Sequence, residues 1–252
     1  MKGTLYLIPT LLGDTPLEWV LPEETRRIAA GLEVFIVERA KTARAFLKRL
    51  GTRLPVQDIR CLEMNEHTPA DALSRLLEPL LEGEDVGLLS EAGCPAVADP
   101  GAHLVRLAHE YGIRVRPLVG PSAILLALMG AGLSGQRFAF HGYLPVKPPA
   151  RAAALHTLER RAETNDEAQL FIETPYRSRA LFAAILAACR EDTWLSLACD
   201  LTGPGETLLT KTIARWRESP IMLEDRPCVF ALWRPPKAPR LRARDATTRR
   251  TP

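Results

Sequence analysis

Within five residues, Glu173-Thr174-Pro175-Tyr176-Arg177 offers a carboxylate, a phenol and a guanidinium directly after the apolar run Leu170-Phe171-Ile172. A strand ending in such a cluster carries the groups that polar recognition of a substrate uses. Helix capping explains part of the same segment, because Thr174 suits an N-cap and Pro175 the first helical position. Both readings stand at this point. A second segment, Ser90-Glu91-Ala92-Gly93-Cys94-Pro95-Ala96-Val97-Ala98-Asp99-Pro100-Gly101, follows a buried apolar run and precedes a helical pattern. Ligands gather beyond the carboxyl ends of strands in open α/β sheets, and glycine lets backbone groups approach them closely. The plainer reading is an ordinary strand-to-helix turn with Asp99 as helix N-cap. Val119-Gly120-Pro121-Ser122-Ala123 and Ile8-Pro9-Thr10-Leu11-Leu12-Gly13-Asp14 have the same character. The free N–H groups of a helix that opens at Ser122 suit a carboxylate or a ribose or adenine acceptor, and Ser122 can equally act only as the cap.

Other chemistries lose support. The chain has no GxGxxG fingerprint, Walker loop, GxSxG elbow or HExxH pair, which argues against classical dinucleotide, nucleotide-triphosphate and hydrolase sites. His67, His103, His109, His141 and His156 are dispersed, and His103 and His109 lack the i, i+4 spacing of helical metal ligands. No metal is expected.

The loops need elements to hold them. Leu5–Pro9, Val34–Val37, Val86–Ser90 and Val115–Val119 read as strands, and Leu21–Ala30, Lys41–Leu50, Ala70–Leu81 and Gly101–Tyr111 carry helical periodicity. Thr68-Pro69, with Asp71 behind it, is a start signal for the third of these helices. After Val119 the pattern restarts with an apolar helix from Gly120-Pro121-Ser122 to about Gly132. Phe138–Tyr143, Gln169–Glu173, Trp194–Cys199, Glu206–Thr210 and Cys228–Trp233 read as further strands, with helices at Arg151–Glu163 and Arg177–Cys189. Short turns such as Gly203-Pro204-Gly205 make the second sheet mixed. The reading is α/β with an N-terminal, mostly parallel sheet over residues 1–119 and a C-terminal mixed sheet over 120–234.

Composition agrees with a folded core: 46% of the 252 residues are hydrophobic and 25% charged. No apolar run approaches the roughly 20 residues of a membrane span, and no secretory leader is evident, so a cytoplasmic protein is expected. The five cysteines form no CxxC pair, and most are expected to be core thiols. The net charge is +3, but Pro235–Pro252 holds one Lys, five Arg and one Asp, a net +5, which leaves the body at −2. That proline- and arginine-rich tail, 235–252, buries too little to offset its ordering entropy and is expected to be disordered, either solvated or touching nucleic acid. Lys41, Arg44, Lys48, Arg49 and Arg53 follow helical spacing and form either a solvated face or an RNA footprint.

At these loops the sequence resembles the tetrapyrrole methylase superfamily, and within it the branch containing the bacterial 16S ribosomal RNA cytidine 2′-O-methyltransferases. Leu5-Tyr6-Leu7-Ile8-Pro9-Thr10, Ser90 through Gly101, Gly120-Pro121-Ser122-Ala123, Phe140 with Gly142-Tyr143-Leu144-Pro145, and Glu173 through Arg177 carry the resemblance over roughly residues 3–234. It implies a homodimer of two-domain subunits with S-adenosyl-L-methionine as cofactor in the cleft between the domains. Carried over by motif, the cofactor contacts are Leu12, Gly93, Cys94, Val97, Ser122 and Ala123, with Ile172, Leu201 and Cys228 on the second-domain side. Gly93-Cys94-Pro95 departs from the Gly-Asp-Pro of many relatives. Glu38-Arg39-Ala40-Lys41 and Thr174-Pro175-Tyr176-Arg177 depart from the RNA enzyme's Glu-Asp-Thr-Arg and Ser-Pro-His-Arg. The chain therefore looks like a shorter sister group of that enzyme.

The implied reaction is transfer of the sulfonium methyl to a nucleophile, where positioning is the main catalytic task and a base is needed only for an acceptor that must lose a proton. Glu38, Glu91 and Glu173 are the candidate bases, and Tyr176 and Arg177 the candidate substrate-positioning groups. A ribosomal or related RNA leads as acceptor; a small molecule such as a tetrapyrrole, or donor binding without transfer, are the alternatives.

Overall fold

A computed structural model describes residues 1–65 and 67–236. The fate of the tail from residue 237 lies outside the described residues. The first half runs β1 (Thr4–Ile8), α1 (Leu17–Val20), α2 (Glu23–Gly31), β2 (Val34–Val37), α3 (Ala40–Leu50), β3 (Arg60–Glu63), α4 (Ala70–Leu76), α5 (Glu78–Glu82), β4 (Val86–Leu89), α6 (Ala102–Glu110) and β5 (Arg114–Pro117). Its strands lie in the order β3-β2-β4-β1-β5, all parallel. Each of the strands β1 to β4 is followed by a helical crossover to the next, which is what parallel pairing requires.

Period-two alternation then divides the core between two faces. Val34 and Ile36 of β2 pack with Leu77, Leu80 and Leu104 of the α4, α5 and α6 side, whereas Phe35 and Val37 pack with Ala29, Ala43 and Leu47 of α2 and α3. Gly87 in β4 makes this possible: a Cβ there would lie 2.7 Å from Phe35 Cδ1 and 2.8 Å from Ile8 Cδ1. Any side chain at 87 would displace the fully buried Phe35 ring, an overpacking cost of about 1–3 kcal/mol.

The second half runs α7 (Ala123–Ala131), β6 (Phe138–Tyr143), α8 (Pro148–Asn165), β7 (Ala168–Glu173), α9 (Pro175–Ala188), β8 (Trp194–Cys199), β9 (Thr207–Thr212), α10 (Ile213–Glu218) and β10 (Cys228–Trp233). The order β6-β7-β10-β8-β9 pairs β6 with β7 in parallel and the rest antiparallel, so the sheet is mixed. Phe171 and Phe230 stack across neighbouring strands with centroids 5.7 Å apart, and Phe182 meets Trp216 edge-on, in a core closed by α8, α9 and α10. On the opposite face Leu170, Ala198, Val229 and Ala231 pack under α7. This face continues into the cleft described below.

The structure corrects several expectations. The helix over Ala70–Leu81 is two helices, because Pro79 has no N–H to continue α4 and instead occupies the first turn of α5. Thr68 does not cap α4; Pro69 is at the N-cap and the Thr68 hydroxyl accepts from the Asn65 N–H at 2.9 Å. β3, α1 and α10 are additional elements: β3 is a four-residue edge strand with charged ends, too short for a periodic signal. The cysteines are not mostly core thiols. Cys199 and Cys228 face each other in register on β8 and β10 and form a disulfide, Cys61 and Cys94 are half-buried, and only Cys189 is a buried free thiol, pushed up to about 12 by burial. Antiparallel pairing joins residues 29 apart in the chain, a proximity no short spacing motif reports.

Candidate functional site

The loops after β1, β4 and β5 leave the carboxyl edge of the first sheet and meet the α7 face of the second. Between them is a cleft of about 280 Å³. Its first-sheet wall is Leu12, Ala92, Gly93, Cys94, Val97, Ala98 and Asp99. Ser122, Ala123 and Ile124 at the start of α7 close one end, and Ile172, Ala198, Leu201, Cys228 and Val229 supply the second-sheet wall. All nine residues named above as contacts stand on this one cleft.

The loop after β4 is held in an unusual backbone state. Gly93, Ala96, Ala98 and Gly101 have φ of 73°, 65°, 62° and 130°. The left-handed region disfavours alanine, and residues held there cluster where a loop must present backbone or side chains in a fixed way. Ser90 Oγ donates to Gly93 O at 2.8 Å, and Thr10 N donates to the same oxygen at 2.9 Å, so the loops after β1 and β4 are tied together. Cys94 Sγ donates to Pro121 O at 3.4 Å, which ties in the third loop. At Gly93 a Cβ would come within 3.1 Å of Leu12 Cδ2 on the cleft wall. Ser122 caps α7, accepting from Leu125 N at 3.4 Å. The first loop also reaches across to the β8–β9 turn, where Thr15 Oγ1 donates to Thr202 O.

Asp99 is not a helix cap, for Gly101 holds that position on α6. Its half-buried carboxylate lines the cleft instead, and burial, aided by the negative field of Glu38 and Glu91, pushes it up to about 7. Tyr143 of β6 also lines the cleft; burial raises its phenol, Asp99 and Glu173 add to the rise, and Arg177 opposes it. Burial likewise raises the Cys94 thiol, with Ser122 acting in the opposite direction.

The other sequence candidates separate. Glu173 lines the cleft, but its side chain is only 1% exposed and is clamped by Arg177, with Nε at 2.9 Å and Nη2 at 2.7 Å from Oε1. Thr174 is at the α9 N-cap without a side-chain cap bond; its hydroxyl accepts from Arg177 Nε at 3.0 Å and donates to Glu173 Oε1 at 3.3 Å. Arg177 is thus an internal partner of Glu173, and Tyr176, 70% exposed beside it, is not on the cleft wall. Glu38 and Glu91 line a neighbouring cavity of about 250 Å³ with Thr10, Leu11, Thr42, Phe46, Arg49 and Ser90. There Thr42 Oγ1 donates to Glu91 Oε1 at 2.6 Å. Arg49 turns back to Asp14 at 3.0 Å, whereas Lys41, Arg44, Lys48 and Arg53 are exposed. Among the described residues no group of three His, Cys, Asp or Glu is placed to hold a metal ion, and no helix is long and apolar enough to cross a membrane.

Asp99, Tyr143, Ala198 and Val229 were not among the expected site residues. The signal for Asp99 lay in the loop motif itself, where an acid precedes Pro100. Ala198 and Val229 carry no sequence signal beyond strand alternation.

A parallel sheet joined to a mixed sheet, with glycine-rich loops closing a cleft where they meet, is the architecture of an α/β protein that binds its ligand at strand carboxyl ends. The sequence profile of the tetrapyrrole (corrin/porphyrin) methylases matches residues 4–216, and the chain belongs to that family. It is therefore a methyltransferase with S-adenosyl-L-methionine as methyl donor, a substrate consumed in the reaction rather than the resident cofactor expected above. The chain is similar to ribosomal RNA small subunit methyltransferase I of Escherichia coli O157:H7, with 33% identity over 210 residues, covering 82% of this chain and 68% of the relative. Its counterpart in Micromonospora olivasterospora is 38% identical over 208 residues, covering 82% and 62%. The crystal structure of the methyltransferase CobJ superposes with a TM-score of 0.60 at 19% identity, covering 93% of this chain and 99% of that one, a likeness of fold.

Proposed function

We propose that this chain transfers the methyl group of S-adenosyl-L-methionine to a ribose hydroxyl of small-subunit ribosomal RNA. The observation that carries the reading is the convergence of Leu12, Gly93, Cys94, Val97, Ser122, Ala123, Ile172, Leu201 and Cys228 on one cleft. Its chemistry fits the donor: apolar side chains from the second sheet for the adenine faces, loop backbone groups for the polar edges, and the α7 N-terminus for a carboxylate. The relatives' names support the RNA acceptor. So do the exposed basic residues Lys41, Arg44 and Lys48 of α3 and Arg53 just beyond it, beside the second cavity, because phosphate contacts by such groups provide most nonspecific RNA affinity. An acceptor of this kind places the enzyme in the cytoplasm.

In this reading residues 1–119 and 120–234 are two domains that share the donor between them. The subunit works as a homodimer, for which Leu125 and Met129, one helical turn apart on the outer face of α7 and 51% and 78% exposed, offer an apolar patch. Transfer of tritiated methyl groups to small-subunit RNA tests the acceptor. Labelled RNA that yields 2′-O-methylated nucleoside on digestion supports it; unlabelled RNA beside a labelled tetrapyrrole acceptor would replace it with the small-molecule reading. Binding of donor without transfer to either would leave a binding protein.

A further inference from the structure

We propose that Asp99 is the group that takes the proton from the acceptor hydroxyl during methyl transfer. The inference rests on the ribose-hydroxyl reading above and concerns which carboxylate serves it. Three carboxylates were candidates from the sequence, and the geometry turns each aside. Glu173 lines the cleft, but the same oxygen that could accept a proton already receives Arg177 Nε at 2.9 Å, Arg177 Nη2 at 2.7 Å and the Thr174 N–H at 2.8 Å. Glu38 and Glu91 line the neighbouring cavity, behind the loops after β1 and β4. Asp99 lies on the cleft wall itself, on the loop whose left-handed positions at Ala96, Ala98 and Gly101 flank it on both sides.

Its surroundings give it the right electrostatic setting. Glu38 from the end of β2 and Glu91 from the loop after β4 repel its negative charge, and Tyr143 of β6 faces it across the cleft. Tyr143 in turn feels the charges of Glu173 and Arg177 and the Tyr176 phenol. Burial, aided by Glu38 and Glu91, brings the carboxyl up to about 7, close to the working pH at which a base combines availability with driving force. The step balances. The hydroxyl proton passes to Asp99 Oδ, an oxygen electron pair forms the new O–C bond, and the C–S pair leaves with sulfur as a neutral thioether. Glu38 and Glu91 thereby become residues that tune Asp99 rather than bases. The sign follows: below about pH 7 Asp99 is protonated and cannot accept, so kcat rises through that region. Removing either neighbouring charge lowers the Asp99 pKa and moves the rise to lower pH.

The test measures kcat against pH from about 5.5 to 9 with small-subunit RNA, for wild type, Asp99→Asn and Glu91→Gln. Calorimetry with S-adenosyl-L-methionine runs alongside, together with 13C NMR titration of the aspartate carboxyls. Asp99→Asn is expected to bind donor within about threefold of wild type, to lose about 10²–10⁴ in kcat, and to lose the acid limb. The NMR series is expected to show one aspartate titrating near about 7, absent from Asp99→Asn and shifted down in Glu91→Gln. An Asp99→Asn enzyme that keeps pace with wild type, or an Asp99 that titrates in the usual carboxylate range, overturns the assignment of Asp99 alone. Wild type that leaves RNA unmethylated overturns the acceptor, and this assignment with it.

Discussion

The two sheets contribute to the cleft in different ways. The parallel sheet gives loops: its strands stop short of the cleft, and Leu12, Gly93, Cys94 and Val97 line it from the segments beyond β1 and β4. The mixed sheet gives strand residues: Ile172, Ala198, Cys228 and Val229 belong to β7, β8 and β10 and meet the cleft where the α7 helix ceases to cover them. A loop wall is shaped by backbone conformation and a strand wall by side-chain size. Substitutions should therefore injure the two walls by different means.

The largest expected effect is on the loop wall. Gly93→Val places a β-branched residue at φ 73° with its Cβ about 3.1 Å from Leu12 Cδ2, so the loop must change shape. Donor affinity should fall at least about hundredfold in calorimetry, equivalent to roughly 2.7 kcal/mol, while circular dichroism stays native. Retained affinity would show that the loop wall does not depend on this backbone state. On the strand side, Arg177→Ala leaves the Glu173 carboxylate buried without its guanidinium and should destabilise the fold by about 3 kcal/mol. Thermal unfolding should drop by roughly 6–12 °C for a chain of this size. Glu173→Gln with Arg177→Ala should recover part of that loss, because no buried charge is then stranded.

A smaller effect is expected outside the cleft. Arg44→Gln on the exposed face of α3 should reduce the slope of log RNA affinity against log salt by about 0.7–0.9, with donor binding unchanged. An unchanged slope would remove α3 from the RNA footprint. The smallest is a count: thiol titration of the unfolded chain should find Cys61, Cys94 and Cys189 before reduction and two more, Cys199 and Cys228, after it.

The same contrast explains what could be read from the sequence. Glycine and proline after an apolar run mark a strand-to-loop transition, so the loops around Gly93 and Ser122 were visible as a set, and the alternation of strands and helices announced the parallel sheet that aligns them. The α8 boundaries and the split between α4 and α5 were less visible, because Pro148, Pro149 and Pro79 sit in first turns, where proline starts a helix as readily as it ends one. Strand residues gave less. Val229 and Ala231 point to the same face of β10 and share one hydrophobic pattern, yet Val229 lines the cleft and Ala231 is covered by packing. Alternation says which face a residue takes, not whether a helix or a ligand covers it. Ile172, Leu201 and Cys228 entered only through resemblance. The Cys199–Cys228 pairing and the crowding of Glu38 and Glu91 near Asp99 depend on sheet order, which the local sequence does not encode.

The central claim is that the donor occupies the cleft between the two sheets, and the most direct test is calorimetric titration with S-adenosyl-L-methionine of wild type and Ser122→Trp. Ser122 stands at the α7 N-terminus on the cleft wall, where an indole would fill the space. Saturable binding by wild type, lost in a folded Ser122→Trp protein, is the expected result. Equal binding by both proteins would place the donor elsewhere and contradict the account.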